Sequence, residues 1–151
     1  MTFTVRAADL GDARGLAALE TQARERLLQQ RGGPQALAEQ PAVDDWAALL
    51  ARGDVCVFVA TIDDVPLGYL ELHLPDENGR ATVRQVYVDE GARELGFGDD
   101  MIGLAIDATL ASGGSVIESF ALPGDRNTKN LFERAGMTAR KLIVAKQLRE
   151  S

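Results

Sequence analysis

An arginine and two glycines have a spacing that suits the binding of a phosphate group. Arg93, Gly96 and Gly98 form an R-x-x-G-x-G pattern between a predicted strand and a predicted helix. The first backbone N–H groups of a helix have no intrahelical partner, and the helix dipole is positive there. Glycines permit a positive φ and a close approach of the backbone, so these amides can donate to a pyrophosphate. Alternatively, the glycines only shape a turn, since the chain has 15 of them.

Other nucleophile and phosphate-binding motifs fit the sequence less well. A dinucleotide-binding fingerprint would need a glycine at Met101. The P-loop pattern G-x-x-x-x-G-K-[ST] and the serine hydrolase pattern G-x-S-x-G do not occur. The single cysteine, Cys56, lies among valines and a phenylalanine, which predicts a buried apolar residue and not a nucleophile.

The composition indicates one domain and disfavours several classes of function. The chain has 151 residues, 46 % of them hydrophobic, which is typical of a single folded domain. A net charge of −7 repels phosphate backbones, so we expect no nucleic-acid partner. One histidine and one cysteine are too few for a typical zinc site, and no metal is expected. No membrane-spanning run or signal peptide is evident, which predicts a cytoplasmic protein without a membrane partner.

The predicted elements alternate in the order of a mixed α/β sheet with helices on its faces. Strands are predicted from alternating or β-branched residues, and helices from caps and apolar stripes. The predicted strands cover residues 2–7, 55–61, 65–74, 81–88 and 115–122, with one or two more within 137–148. The predicted helices cover residues 10–30, a stretch between Asp44 and Gly53, 99–110 and 125–135, with a loop at 91–98.

With these elements in order, the sequence resembles the GNAT acetyltransferase superfamily. The resemblance rests on the R-x-x-G-x-G segment and on residues 130–137, N-L-F-E-R-A-G-M, which are similar to the family's late signature L-Y-E-x-x-G-F. It extends over nearly all of residues 1–151 and implies one GNAT N-acetyltransferase domain. The implied fold is α/β (α+β), with a mixed, mostly antiparallel central sheet flanked by about four helices. The implied reaction moves an acetyl group from acetyl-coenzyme A to a primary amine, by direct attack in a ternary complex.

The resemblance also implies which residues bind coenzyme A. Amides of the glycine loop would hold the pyrophosphate, and the end of strand 81–88 would pair with the pantetheine arm and polarise the thioester carbonyl. Asp125 stands where the family often has an asparagine on that arm, although it can instead cap a helix. The implied coenzyme residues are Val86, Val88, Arg93, Glu94, Leu95, Gly96, Phe97, Gly98, Asp99, Asp125, Lys129 and Phe132.

The residues for proton transfer are less well defined, because the chain departs from the family's pattern. Many members have a tyrosine acid where this chain has Phe132, which cannot donate a proton. Tyr87 is the candidate replacement, and its alternative role is that of an ordinary aromatic on a strand. Glu71, His73 and Glu118 are candidate bases, whereas the alternative for Glu71 and His73 is a solvated position on a half-exposed sheet.

These departures leave a second functional hypothesis. A GNAT-fold module that binds acyl-coenzyme A but catalyses poorly could act as a sensor or an interaction domain. The acceptor, a small molecule or a protein, is not specified by any motif. The sequence is compatible with a monomer or a homodimer.

Overall fold

Five strands form one sheet in the computed structural model of the chain, which describes residues 1–150. The spatial order of the strands is their order along the chain. The first four are antiparallel neighbours, and the fifth runs parallel to the fourth. The strands are β1 (Phe3–Ala7), β2 (Val55–Ile62), β3 (Val65–His73), β4 (Arg80–Val88) and β5 (Val116–Glu118).

Within residues 1–150, aspartate side chains cap both 3₁₀ turns and two of the five helices. Asp9 accepts from the Gly11 N–H at 2.9 Å at the first 3₁₀ turn. Asp125 accepts from the Thr128 N–H at 3.2 Å, so the capping role given as the alternative for Asp125 is confirmed. The helices are α1 (Ala13–Leu28), α2 (Gly33–Glu39), α3 (Trp46–Leu50), α4 (Phe97–Ala111) and α5 (Arg126–Arg134), with 3₁₀ turns at Leu10–Asp12 and Glu90–Leu95. Within residues 1–150, no helix has the length and apolar character that crossing a membrane requires.

Alternate residues of the central strands enter two separate apolar cores. On β2, Phe58 and Ala60 pack with α4 and α5, whereas Val57 and Val59 pack with α1 and α3. This separation follows from the period of two in side-chain direction along a strand. The sheet is therefore covered by helices on both faces, which confirms the predicted fold class.

Several predicted boundaries are wrong in detail. The helical stretch predicted between Asp44 and Gly53 is α3 alone, whereas α2 lies outside every predicted helix. The cap of α3 is Asp45, whose carboxylate accepts from the Ala48 N–H at 3.1 Å. The loop predicted at residues 91–98 contains the 3₁₀ turn at Glu90–Leu95. The strand predicted at 115–122 is paired only over Val116–Glu118, because the chain then leaves β4.

The final strands predicted within residues 137–148 are absent. Residues 138–150 form no strand or helix, and no backbone hydrogen bond joins them to the rest of the described chain. Leu142, Ile143 and Val144 are 86 %, 87 % and 90 % exposed. Branched side chains favour a strand only where its backbone pairs with a neighbour. Here β5 is only three residues long, and it provides no such ladder.

Candidate active site

The strands β4 and β5 separate after three paired residues, and the gap between them forms the candidate site. The two strands pair only from Arg80↔Val116 to Thr82↔Glu118. The Ser119 hydroxyl donates to the Val83 carbonyl at 2.7 Å, which is the last link between the two segments. Beyond it, residues 84–88 and residues 119–122 form opposite walls of one cavity. That part of β4 therefore has a free edge on the cavity side.

The cavity extends from the gap between β4 and β5 to the first residues of α4. Gly96 precedes this helix with φ 82° and ψ 9°, in the left-handed region, and no side chain caps the helix. The first helical bond runs from the Asp100 N–H to the Gly96 carbonyl at 3.0 Å. Within residues 1–150, no side chain accepts from the amides of residues 97–99. These amides can accommodate an anion such as a pyrophosphate.

The two glycines of the motif have different structural roles. A Cβ atom at Gly96 would have no heavy atom within 4 Å, so only the positive φ requires glycine there. A Cβ atom at Gly98 would lie 3.1 Å and 3.3 Å from the two Cδ atoms of Leu131. Gly98 therefore allows α5 to pack closely on the beginning of α4.

Arginines concentrate around the cavity although the whole chain is acidic. Arg26 pairs with Glu90 at 2.8 Å, and Arg134 pairs with Asp99 at 3.0 Å. Arg93 donates from Nε to the Val88 carbonyl at 3.3 Å. All three arginines line the cavity. The Arg134 contact partly offsets the repulsion that Asp99 would exert on a pyrophosphate.

Most of the implied coenzyme residues line this cavity, and three do not. Phe97 and Phe132 are 2 % and 8 % exposed and belong to the apolar core. Lys129 is exposed on α5 and lies outside the cavity wall. The cavity wall includes Val86, Val88, Arg93, Glu94, Leu95, Gly96, Gly98, Asp99 and Asp125.

Of the candidate catalytic residues, only Tyr87 lines the cavity. Glu118 pairs with Arg80 at 2.6 Å, at the closed end of the β4–β5 pair. Glu71 is 1 % exposed, and it lies 2.6 Å from His73 and 3.3 Å from Arg84. Burial raises the pKa of Glu71, but hydrogen bonds from His73 and Gln85 and the charge of Arg84 outweigh it and hold that pKa below its ordinary value.

A polar network that the sequence does not reveal supports the cavity. Gln85 donates to Glu71 at 2.8 Å and to Glu20 at 2.9 Å, and it accepts from the Tyr69 hydroxyl at 2.6 Å. A second network joins Gln22 on α1 to the Tyr87 hydroxyl. No sequence motif marks these residues, because they come together only through the packing of α1 on β3 and β4. Within residues 1–150, no cluster of three or more His, Cys, Asp or Glu side chains is placed to hold a metal ion.

The sheet thus opens beside an uncapped, glycine-led helix, and one cavity connects the two, which leaves room for an extended ligand. The acetyltransferase (GNAT) family model matches residues 16–137 of the chain. The chain therefore belongs to the GNAT acetyltransferase family, as its resemblance predicted. No curated protein sequence matches it significantly.

Solved structures share the fold at low sequence identity. The aminoglycoside acetyltransferase AAC(6')-Iy, in complex with a bisubstrate analogue of coenzyme A, is 15 % identical with TM-score 0.72, and the alignment covers 99 % of both chains. A ribosomal-protein-alanine N-acetyltransferase from Brucella melitensis biovar Abortus is 17 % identical with TM-score 0.69, covering 98 % of this chain and 100 % of that one. A variant of the BH1408 protein from Bacillus halodurans is 19 % identical with TM-score 0.77, covering 97 % and 99 %.

Proposed function

We propose that this chain is an N-acetyltransferase that moves the acetyl group of acetyl-coenzyme A to a primary amine by direct attack in a ternary complex. The observation that carries the proposal is the continuity of two features. The free edge of β4 and the uncapped amides of α4 line the same cavity. An extended thioester with a pyrophosphate needs both features at once.

The proposed binding mode uses backbone groups more than side chains. The amides of residues 97–99 would donate to the pyrophosphate, and Arg93 and Arg134 would add positive charge nearby. Val86 and Val88 lie on the β4 edge that faces the opening, where main-chain groups can pair with the amides of a pantetheine arm. The bound thioester supplies an electrophilic carbonyl, and a main-chain N–H of this edge would stabilise the charge that develops on its oxygen.

Tyr87 is the proposed acid for the departing thiolate. Its side chain is 9 % exposed and lines the cavity from the same strand. A phenol near a forming thiolate can donate its proton, which Phe132 cannot do. Tyr87→Phe would keep the ring packing and remove only this proton.

Glu71 and Glu118 stay candidate bases for the amine. Neither lines the cavity, so a proton from the amine would reach either carboxylate only through water. The depressed pKa of Glu71 also makes it a weak base. Glu71→Gln and Glu118→Gln test these roles, because removal of a true base would shift the dependence of kcat/KM on pH.

Two measurements test the proposal. Calorimetry with acetyl-coenzyme A measures binding, and undetectable binding would refute every acyl-coenzyme role. Thiol release is then followed against an amine panel that includes an aminoglycoside, an alanine-terminated peptide and a lysine peptide. The first two represent acceptor classes named for proteins of similar fold. Acceptor-dependent release is the expected result.

The second candidate is a coenzyme-binding module with little turnover. The burial of Phe132 at the position of the family's usual acid favours it. Binding without acceptor-dependent thiol release from any amine would support this function. In either case we propose a cytoplasmic protein, a monomer or a homodimer, without a nucleic-acid, membrane or metal partner.

A further inference from the structure

One side-chain amide, that of Gln22, links the Tyr87 hydroxyl to the Asp89 carboxylate. The Gln22 Nε2 atom lies 2.6 Å from the Tyr87 Oη atom and also 2.6 Å from the Asp89 Oδ2 atom. Gln22 is on α1 and does not line the cavity, whereas Tyr87 does. The half-buried glutamine therefore contacts the Tyr87 hydroxyl without lining the cavity itself.

Asp89 determines which way the Gln22 amide faces. The hydrogen bond from Gln22 and that from the Gly91 N–H hold the pKa of Asp89 below its ordinary value. Asp89 is therefore a carboxylate at neutral pH and can only accept hydrogen bonds. The Gln22 NH₂ group must point toward Asp89, since its oxygen would repel the carboxylate.

The same NH₂ group then sets the role of the tyrosine oxygen. A primary amide has two N–H donors and no acceptor on nitrogen, so the bond from Gln22 Nε2 makes the Tyr87 oxygen an acceptor. The Tyr87 O–H bond is left free to donate elsewhere, and within residues 1–150 no protein acceptor takes it. Tyr69 is the opposite case, because its O–H donates to Gln85 at 2.6 Å.

We infer that Gln22 is a positioning residue that orients the Tyr87 hydroxyl as a proton donor toward the cavity; this inference rests on the proposed function. In the reaction, the amine nitrogen bonds to the thioester carbon and the carbon–sulfur bond breaks. The sulfur takes the proton of the Tyr87 hydroxyl and leaves as a thiol. The phenolate, which the Gln22 N–H stabilises, regains a proton that the acylated nitrogen releases through water.

The experiment is a double-mutant cycle on the full chain. Gln22→Met removes the amide while keeping the length of the side chain, and Tyr87→Phe removes the hydroxyl. We measure kcat and KM by thiol release with whichever panel amine the wild-type protein acetylates. Gln29→Met, at the exposed residue that follows α1, is the matched control and should retain wild-type kcat.

Gln22→Met should lower kcat about fivefold to tenfold, the factor that one net hydrogen bond represents, with little change in the KM for acetyl-coenzyme A. In the Tyr87→Phe background the same change should have no further effect. Unchanged kcat in Gln22→Met, or independent and multiplicative effects in the double variant, would overturn the role of Gln22. Absence of turnover in the wild-type protein would instead overturn the proposed function.

A spectroscopic measurement separates this role from general loss of structure. The chain has two tyrosines, so ¹³C labelling of the tyrosine Cζ atoms gives two resonances, which Tyr87→Phe assigns. Gln22→Met should move the Tyr87 resonance and leave that of Tyr69 in place. If both resonances move together, Gln22→Met has disturbed the fold. Gln22→Ala then replaces Gln22→Met in the double-mutant cycle. An unmoved Tyr87 resonance in a folded variant contradicts the hydrogen bond itself.

Discussion

Substitution of Gly96 by alanine tests the geometry of the proposed pyrophosphate site. Gly96 has a φ of 82°, and a Cβ atom there would meet nothing within 4 Å. The cost of Gly96→Ala is therefore backbone strain alone, about 1–2 kcal/mol for a left-handed alanine. For a domain of this size, each kcal/mol lowers the Tm by about 2–4 °C, which predicts a fall of about 2–8 °C.

Gly96→Ala should lower the affinity for acetyl-coenzyme A as well as the stability of the fold. If the backbone leaves the left-handed region to relieve strain, the amides of residues 97–99 turn away from the cavity. Loss of one charge-assisted hydrogen bond, about 1.5–3 kcal/mol, weakens binding by about tenfold to a hundredfold. Calorimetry with acetyl-coenzyme A measures this change directly.

Gly103 provides a matched control on the same helix. It also has open space around a built Cβ atom, but its φ lies outside the positive region. Gly103→Ala should stabilise the helix by about 0.5–1 kcal/mol and leave coenzyme affinity unchanged. Gly96→Asn should lose less stability than Gly96→Ala, because asparagine tolerates the left-handed region. A Gly96→Ala protein with wild-type Tm and affinity would refute the reasoning.

The remaining predictions concern stability. The pKa of Glu71 is lower in the folded protein than in the unfolded chain, so ionised Glu71 stabilises the fold above about pH 4.5 and loses this effect as the pH falls through the folded pKa. Between about pH 5 and pH 3, the Tm of Glu71→Gln should therefore fall less than the Tm of the wild-type protein. Asp12 accepts two hydrogen bonds from Arg6, at 2.7 Å and 2.9 Å. Asp12→Ala should lower the free energy of unfolding, measured in urea, by about 1–3 kcal/mol. A decrease below about 0.5 kcal/mol would contradict this prediction. A chain ending at Met137 should keep its Tm within about 2 °C, because residues 138–150 make no backbone hydrogen bonds to the body; a larger fall would show that these residues pack on it.

Most of the elements and the glycine-containing turn before α4 were predictable because their signals are local. Glycines after a strand, aspartates at helix starts and alternating branched residues report the conformation of their own neighbourhood. The same local reasoning failed at residues 138–148, where strand propensity had no neighbouring strand to pair with. The alternative that Glu71 is solvated is also wrong, because its side chain is 1 % exposed and is held by Gln85 and Arg84.

The sequence by itself indicated the family and the glycine-containing turn before α4, since both depend on residue types at short spacing. Tertiary structure alone decided which polar groups face the cavity. Gln22 and Tyr87 are separated by 65 residues, and they meet only because α1 packs across β4. Hydrogen bonds over such separations depend on how helices and sheet pack, which no local pattern encodes.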